Sequence, residues 1–97
     1  MRVISRKTLR VFWEQHKDAE QPLRAWFSEA KSAQWRSPNE IKERYPSASV
    51  IGGGRVVFNI KGNTFRLVVA IKYELGIVYI RFIGTHAEYD KVNAALI

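Results

Sequence analysis

Two periodicities divide the chain. Up to Pro46 the apolar residues recur at helical spacing, and from Ser49 onward they alternate. Val3 and Ile4 predict a short opening strand, and Ser5 is placed to cap a helix whose Leu9, Phe12, Trp13 and His16 share one face. Asp18-Ala19-Glu20-Gln21 breaks that pattern. Pro22, tolerated at a first helical position, starts a second stripe of Leu23, Trp26, Phe27 and Ala30, with Trp35 further along. The two stripes predict an αα-hairpin. Ser37-Pro38-Asn39-Glu40 predicts a third start, with Ser37 as N-cap, Pro38 at the first helical position and Glu40 closing a capping box, and Tyr45-Pro46 ends that helix after about two turns.

In the second half Val56, Phe58 and Ile60 alternate against Arg55, Val57, Asn59 and Lys61, and Gly62-Asn63 turns the chain. Phe65, Leu67, Val69, Ile71 and Tyr73 then share one strand face, opposite Arg66, Val68, Ala70 and Lys72. Glu74-Leu75-Gly76 makes the next turn, and Ile77 to Ile83 returns as a third long strand. The predicted architecture is α+β: a helical hairpin on one face of a small antiparallel sheet, the other face left to a ligand, and a short C-terminal helix. That last helix is announced by a Thr85-x-x-Glu88 capping box after a strand ending at Gly84. It places His86 at the first helical position, with Tyr89 and Asp90 on the neighbouring part of its face, and Val92 and Leu96 continue a stripe that can dock on the sheet.

Composition narrows the function. The 97 residues, 46% hydrophobic and 26% charged, fit a single domain over 1–97. Sixteen Lys and Arg against nine Asp and Glu give +7, a balance that favours a polyanionic partner. With no cysteine, disulfides and thiolate chemistry are excluded. The longest aliphatic run, Leu67 to Ile71, is far below the roughly 20 residues needed to span a bilayer, and Met1 to Lys7 has no apolar stretch behind it, so a cytoplasmic protein without membrane association is expected.

Between Arg44 and Tyr73 stand Arg44, Arg55, Lys61, Arg66 and Lys72 with no acidic residue. Such strand cations are ordinarily just solvated, but a cluster without internal compensation points to an anionic partner. If Val68 stands opposite Arg81, then Arg66 and Arg81 are diagonal neighbours about 7 to 8 Å apart and can clamp a phosphate. RNA cleavage by its own 2′-hydroxyl requires that a proton be removed, negative charge stabilised and a leaving oxygen protonated. Arg66 and Arg81 suit the charge; Lys72, His86 or Tyr89 suit the protons, although Tyr89 also fits a plain packing stripe. Gly52-Gly53-Gly54 precedes a strand and lacks the Gly-Lys-Ser/Thr ending, so it reads as a turn and not a phosphate loop. His16 and His86 lack ligand spacing, so neither a metal nor a cofactor is expected; His16 reads as a boundary residue and the three tryptophans as core.

Phe58-Asn59-Ile60-Lys61-Gly62-Asn63-Thr64-Phe65-Arg66-Leu67-Val68, followed by Tyr79-Ile80-Arg81-Phe82-Ile83-Gly84-Thr85-His86-Ala87-Glu88-Tyr89-Asp90, resembles the HigB-type toxins of type II toxin-antitoxin systems, within the RelE/ParE-like superfamily. The resemblance implies a RelE-like fold and an mRNA interferase, a metal-independent endoribonuclease that cuts messenger RNA, commonly in the ribosomal A site. It implies as partners mRNA, the ribosome and a cognate helix-turn-helix, HigA-like antitoxin that represses the shared operon, DNA being reached only through that complex. The family pattern puts weight on Arg66, Lys72, Arg81, His86, Tyr89 and Asp90. The expected roles are Arg66 and Arg81 for transition-state charge, Lys72 for the 2′-hydroxyl proton, and His86 with Tyr89 for positioning or leaving-group protonation. Arg55, Lys61, Asn63 and Asp90 are expected to contact RNA. The alternatives on the same features are a nucleic-acid-binding module without chemistry and a ParE-like gyrase inhibitor.

Overall fold

Leu9 and Trp13 turn one face of the first helix into the interior, while Phe12 and His16 sit at its boundary. In the computed structural model, which describes residues 1–97, strand β1 (Arg2–Ile4) leads into helix α1 (Arg6–Gln15), with Ser5 in the extended N-cap conformation but its hydroxyl making no cap bond. A 3-10 turn, Lys17–Ala19, feeds helix α2 (Glu20–Ser32), which begins two residues before Pro22. The proline is accommodated because the first four N–H groups of a helix have no intrahelical acceptor. Trp35 lies past the end of α2 but still reaches the core from the connecting segment. Helix α3 (Pro38–Arg44) has Ser37 and Pro38 where expected, without the capping box. The Glu40 carboxylate accepts instead from the Arg36 N–H at 3.0 Å, one residue upstream of the predicted donor.

The alternating half forms β2 (Ser49–Ile51), β3 (Arg55–Ile60), β4 (Phe65–Lys72) and β5 (Ile77–Thr85), followed by helix α4 (His86–Tyr89). The sheet order is β1-β5-β4-β3-β2. All pairs are antiparallel except β1 with β5, which run parallel, so the sheet is mixed rather than purely antiparallel. β1 and β5 are separated by the whole helical layer and the meander, the long connection that parallel neighbours require. Lys61 and Gly62, both at positive φ (53° and 61°), carry the chain between β3 and β4.

The β4–β5 register departs from expectation. Val68 faces Phe82 and Val69 faces Ile80, which leaves Arg81 as the extra residue of a β-bulge. The bulge also switches the face on which later residues point. Val78 and Ile80 pack against the helices, whereas Phe82 packs on the opposite side.

The main core lies between helices and sheet. Phe58 is its centre, contacted edge-on by Trp26 at 5.3 Å and Tyr45 at 5.1 Å and stacked by Trp35 at 6.2 Å. The Tyr45 hydroxyl donates to Glu29 at 2.6 Å, and burial together with that carboxylate pushes its pKa up. The other sheet face is not bare. Val57, Val68 and Ala94 form a second small core there, with Ile51, Phe82, Tyr89 and Ile97 packed around it. Because α4 stops at Tyr89, the helical stripe through Val92 and Leu96 does not continue; Ala94 and Ile97 dock, and Leu96 is 78% exposed. No helix is long and apolar enough to cross a membrane.

Candidate active site

Thr85 fixes one end of the site. Its hydroxyl accepts from the Glu88 N–H at 3.2 Å while the Glu88 carboxylate accepts from the Thr85 N–H at 2.8 Å, the capping box expected from the sequence. The Thr85 backbone N–H, and the Thr85 hydroxyl beside it, hold the Glu88 carboxyl below its ordinary value. The cap starts α4 with His86 and ends it with Tyr89, and His86 Nδ1 lies 3.3 Å from the Asp90 carboxylate.

Gly84 stands directly across from Arg66 and supplies no side chain. A Cβ there would lie 2.5 Å from the Phe82 ring and 3.0 Å from Glu88 Oε1, so the glycine is what leaves room for the Phe82 ring at this position. Phe82 in turn contacts Tyr89, ring centroids 6.4 Å apart. Arg66 completes the corner. Its guanidinium sits over the Tyr89 ring at 6.0 Å and donates to the side-chain oxygen and, at 3.3 Å, the carbonyl of Asn63. Asn59, across from Arg66 on β3, is a neighbour that the sequence did not single out.

The remaining sequence-predicted residues are dispersed. Arg81 projects over the Tyr79 ring at 5.4 Å. The bulge moves it away from the expected diagonal position, to about 10 Å from Arg66 by strand spacing. Lys72 is exposed at the other end of β4, about 20 Å from Arg66 along the strand. Lys61 pairs with Asp18 at 2.8 Å, which lowers the Asp18 pKa. Arg55 is turned inward: it donates to the Gly53 carbonyl at 2.6 Å and through Nε to the Ile97 carbonyl at 3.0 Å. His16 stacks on Phe12 at 4.3 Å and meets Phe65 edge-on, in keeping with a boundary role. Of the nine expected residues, the structure therefore brings Arg66, Asn63 and Tyr89 into contact, with the His86–Asp90 pair on the short helix that carries Tyr89. Phe82, Gly84 and Asn59 belong to that corner as well. A glycine inside a strand was the available signal for the close approach at position 84.

This corner offers a fixed cation that can face an anionic oxygen, an exposed imidazole whose Nδ1 lies 3.3 Å from a carboxylate, and a half-buried phenol. Together these are the group types that phosphodiester cleavage without a nucleophilic side chain calls for. The sequence family described as HigB toxin, RelE-like toxic component of a toxin-antitoxin system, matches residues 19–92. This chain belongs to the HigB toxin family. The mRNA interferase toxin HigB of Escherichia coli strain K12 and the mRNA interferase HigB of Shigella flexneri are each 29% identical to it over 96 residues, covering 97% of this chain and 92% of theirs. All five residues gathered at the corner of this HigB-family toxin fall inside the matched stretch, whereas Ile97, the partner of Arg55, falls outside it.

Proposed function

We propose that this HigB-family toxin is an mRNA interferase that cuts messenger RNA during translation, and that the corner around Arg66 is its catalytic site. The observation that carries the reading is the meeting of Arg66 with Tyr89 beside the His86–Asp90 pair, in a chain whose relatives are named mRNA interferases. In this reading a 2′-hydroxyl attacks the adjacent phosphorus, the bond to the 5′ oxygen breaks, and a cyclic phosphate and a free 5′-hydroxyl result. Arg66 faces the equatorial oxygens on which charge grows. His86 and Tyr89 handle the two protons, with Asp90 fixing the imidazole through Nδ1 so that Nε2 faces substrate. Lys72, too distant to take the 2′-hydroxyl proton beside the phosphate held by Arg66, binds the RNA strand further along, and Arg81 meets a neighbouring phosphate. The partner that neutralises the toxin is an antitoxin of the helix-turn-helix kind, which carries the complex to operator DNA.

Primer extension on abundant messages after brief induction of this chain alone tests the proposal. New 5′ ends inside translated codons are expected for the wild type and should fall at least about 100-fold with Arg66→Ala, the usual cost of removing a charge-stabilising donor. Growth arrest without new ends would overturn the reading and move the target to DNA replication, and undiminished cleavage by Arg66→Ala would overturn the site.

A further inference from the structure

The segment after α4 is held to the sheet beyond Tyr89, toward the Arg55 end of β3. Ala94 is 8% exposed against Val57 and Val68, and Tyr89 packs on that same small core. Beyond it, Arg55 donates to the Ile97 carbonyl through both Nε and Nη2, while its Nη1 bonds the Gly53 carbonyl. Gly53 lies directly under the segment: a Cβ there would stand 2.8 Å from the Ala95 carbonyl oxygen, and its φ of +73° is one that side-chain-bearing residues rarely adopt. The strap formed by residues 90–97 is thus fastened by one guanidinium and one bare glycine.

α4 has four residues, too few to hold a helix by its own hydrogen bonds. Its orientation depends on the Thr85 cap at one end and on the strap at the other, with Tyr89 between them. We propose that Arg55 is a positioning residue for RNA cleavage: it fastens residues 90–97 to the sheet and thereby keeps Tyr89 against Arg66. This rests on the nuclease reading of the corner. In this reading three of the Arg55 donors, one each on Nε, Nη1 and Nη2, serve the fold rather than RNA.

Steady-state cleavage by programmed ribosomes should separate the two roles. Arg55→Gln is expected to lower the maximal rate about 10- to 100-fold, the scale of a small misplacement of a reacting group, with little change in the half-saturating ribosome concentration. Gly53→Ala, which alters no charge, should lower the rate in the same way from the other side of the strap, and Arg55→Lys should restore part of it. Without substrate, amide exchange at Val92 and Ile97, which donate to Tyr89 and Asn93, should accelerate in both variants while exchange in β4 stays slow. A higher half-saturating concentration for Arg55→Gln with normal Gly53→Ala would overturn the proposal in favour of direct RNA contact. Wild-type rates and wild-type exchange in both variants would overturn it outright. A wild type that cleaves nothing would sink the nuclease reading instead, and the exchange data would still decide whether Arg55 fastens the strap.

Discussion

Arg66 meets an amide oxygen, a backbone carbonyl and an aromatic face without meeting a carboxylate, so its charge is oriented but not neutralised. That is the condition a phosphate-binding guanidinium needs, since a carboxylate partner would have to be displaced first. Lys61 shows the opposite case, its ammonium already committed to Asp18. Glu88 is a carboxylate that the fold needs in its charged form. Two bonds from Thr85 lower its pKa from the usual 4.5, so the native state holds the deprotonated form more tightly than the unfolded chain does. The stability it contributes is present in full above about pH 5 and is lost as pH falls through the lowered value. A pH titration followed by the amide signals of Thr85 and Glu88 should show a shared midpoint below 4.5, absent in Glu88→Gln. A midpoint at or above that value would show that the cap does not favour the carboxylate, and the orientation of α4 would then depend on the strap alone.

At the scale of elements, what was legible in the sequence was what is decided locally. The Thr85 box joins residues three apart, and it forms as read. The similar box at Ser37 fails because the Arg36 N–H is also within reach of Glu40 and takes it. The bulge at Arg81 was illegible for a different reason. From Ile77 to Ile83 nearly every position is apolar, so alternation does not fix which residues face which side, and register is decided by pairing with β4. The docking of Ala94 in place of Leu96 followed from the early end of α4, which no residue between Asp90 and Asn93 announces. Gly84 links these elements, since its missing Cβ seats Phe82, and Phe82 seats Tyr89. Gly84→Ala should therefore cost about 1 to 3 kcal/mol by overpacking, measured by chemical denaturation, and should lower cleavage by displacing Tyr89. Unchanged stability would mean that the Phe82 ring turns aside without cost and that the seat is not rigid.

Over the whole molecule, only part of the +7 charge lies on the sheet face beside the corner. Of the cations expected to face substrate, Arg55 is bonded to backbone carbonyls and Lys61 to a carboxylate, which leaves Arg66, Arg81 and Lys72 on the sheet face. These three are spread along about 20 Å of sheet, a spacing that suits successive phosphates of one extended strand better than a single clamped one. Counterion release then sets a number. Each neutralised phosphate on single-stranded RNA contributes about −0.7 to the slope of log affinity against log salt, so three contacts give a slope of about −2. Fluorescence anisotropy with a short single-stranded RNA, in the absence of ribosomes, measures it. Replacing Arg66, Arg81 or Lys72 by Ala should flatten the slope by about 0.7 each, whereas Arg55→Gln and Lys61→Gln should leave it as it is. If Arg55→Gln or Lys61→Gln flattened the slope as much as the other three, the internal bonds would be ones that RNA displaces, and the interface would extend across the hairpin tip and the strap. If Lys72→Ala alone left it unchanged, the bound strand would end near Arg81 and the working surface would shrink to the corner that Arg66 shares with α4.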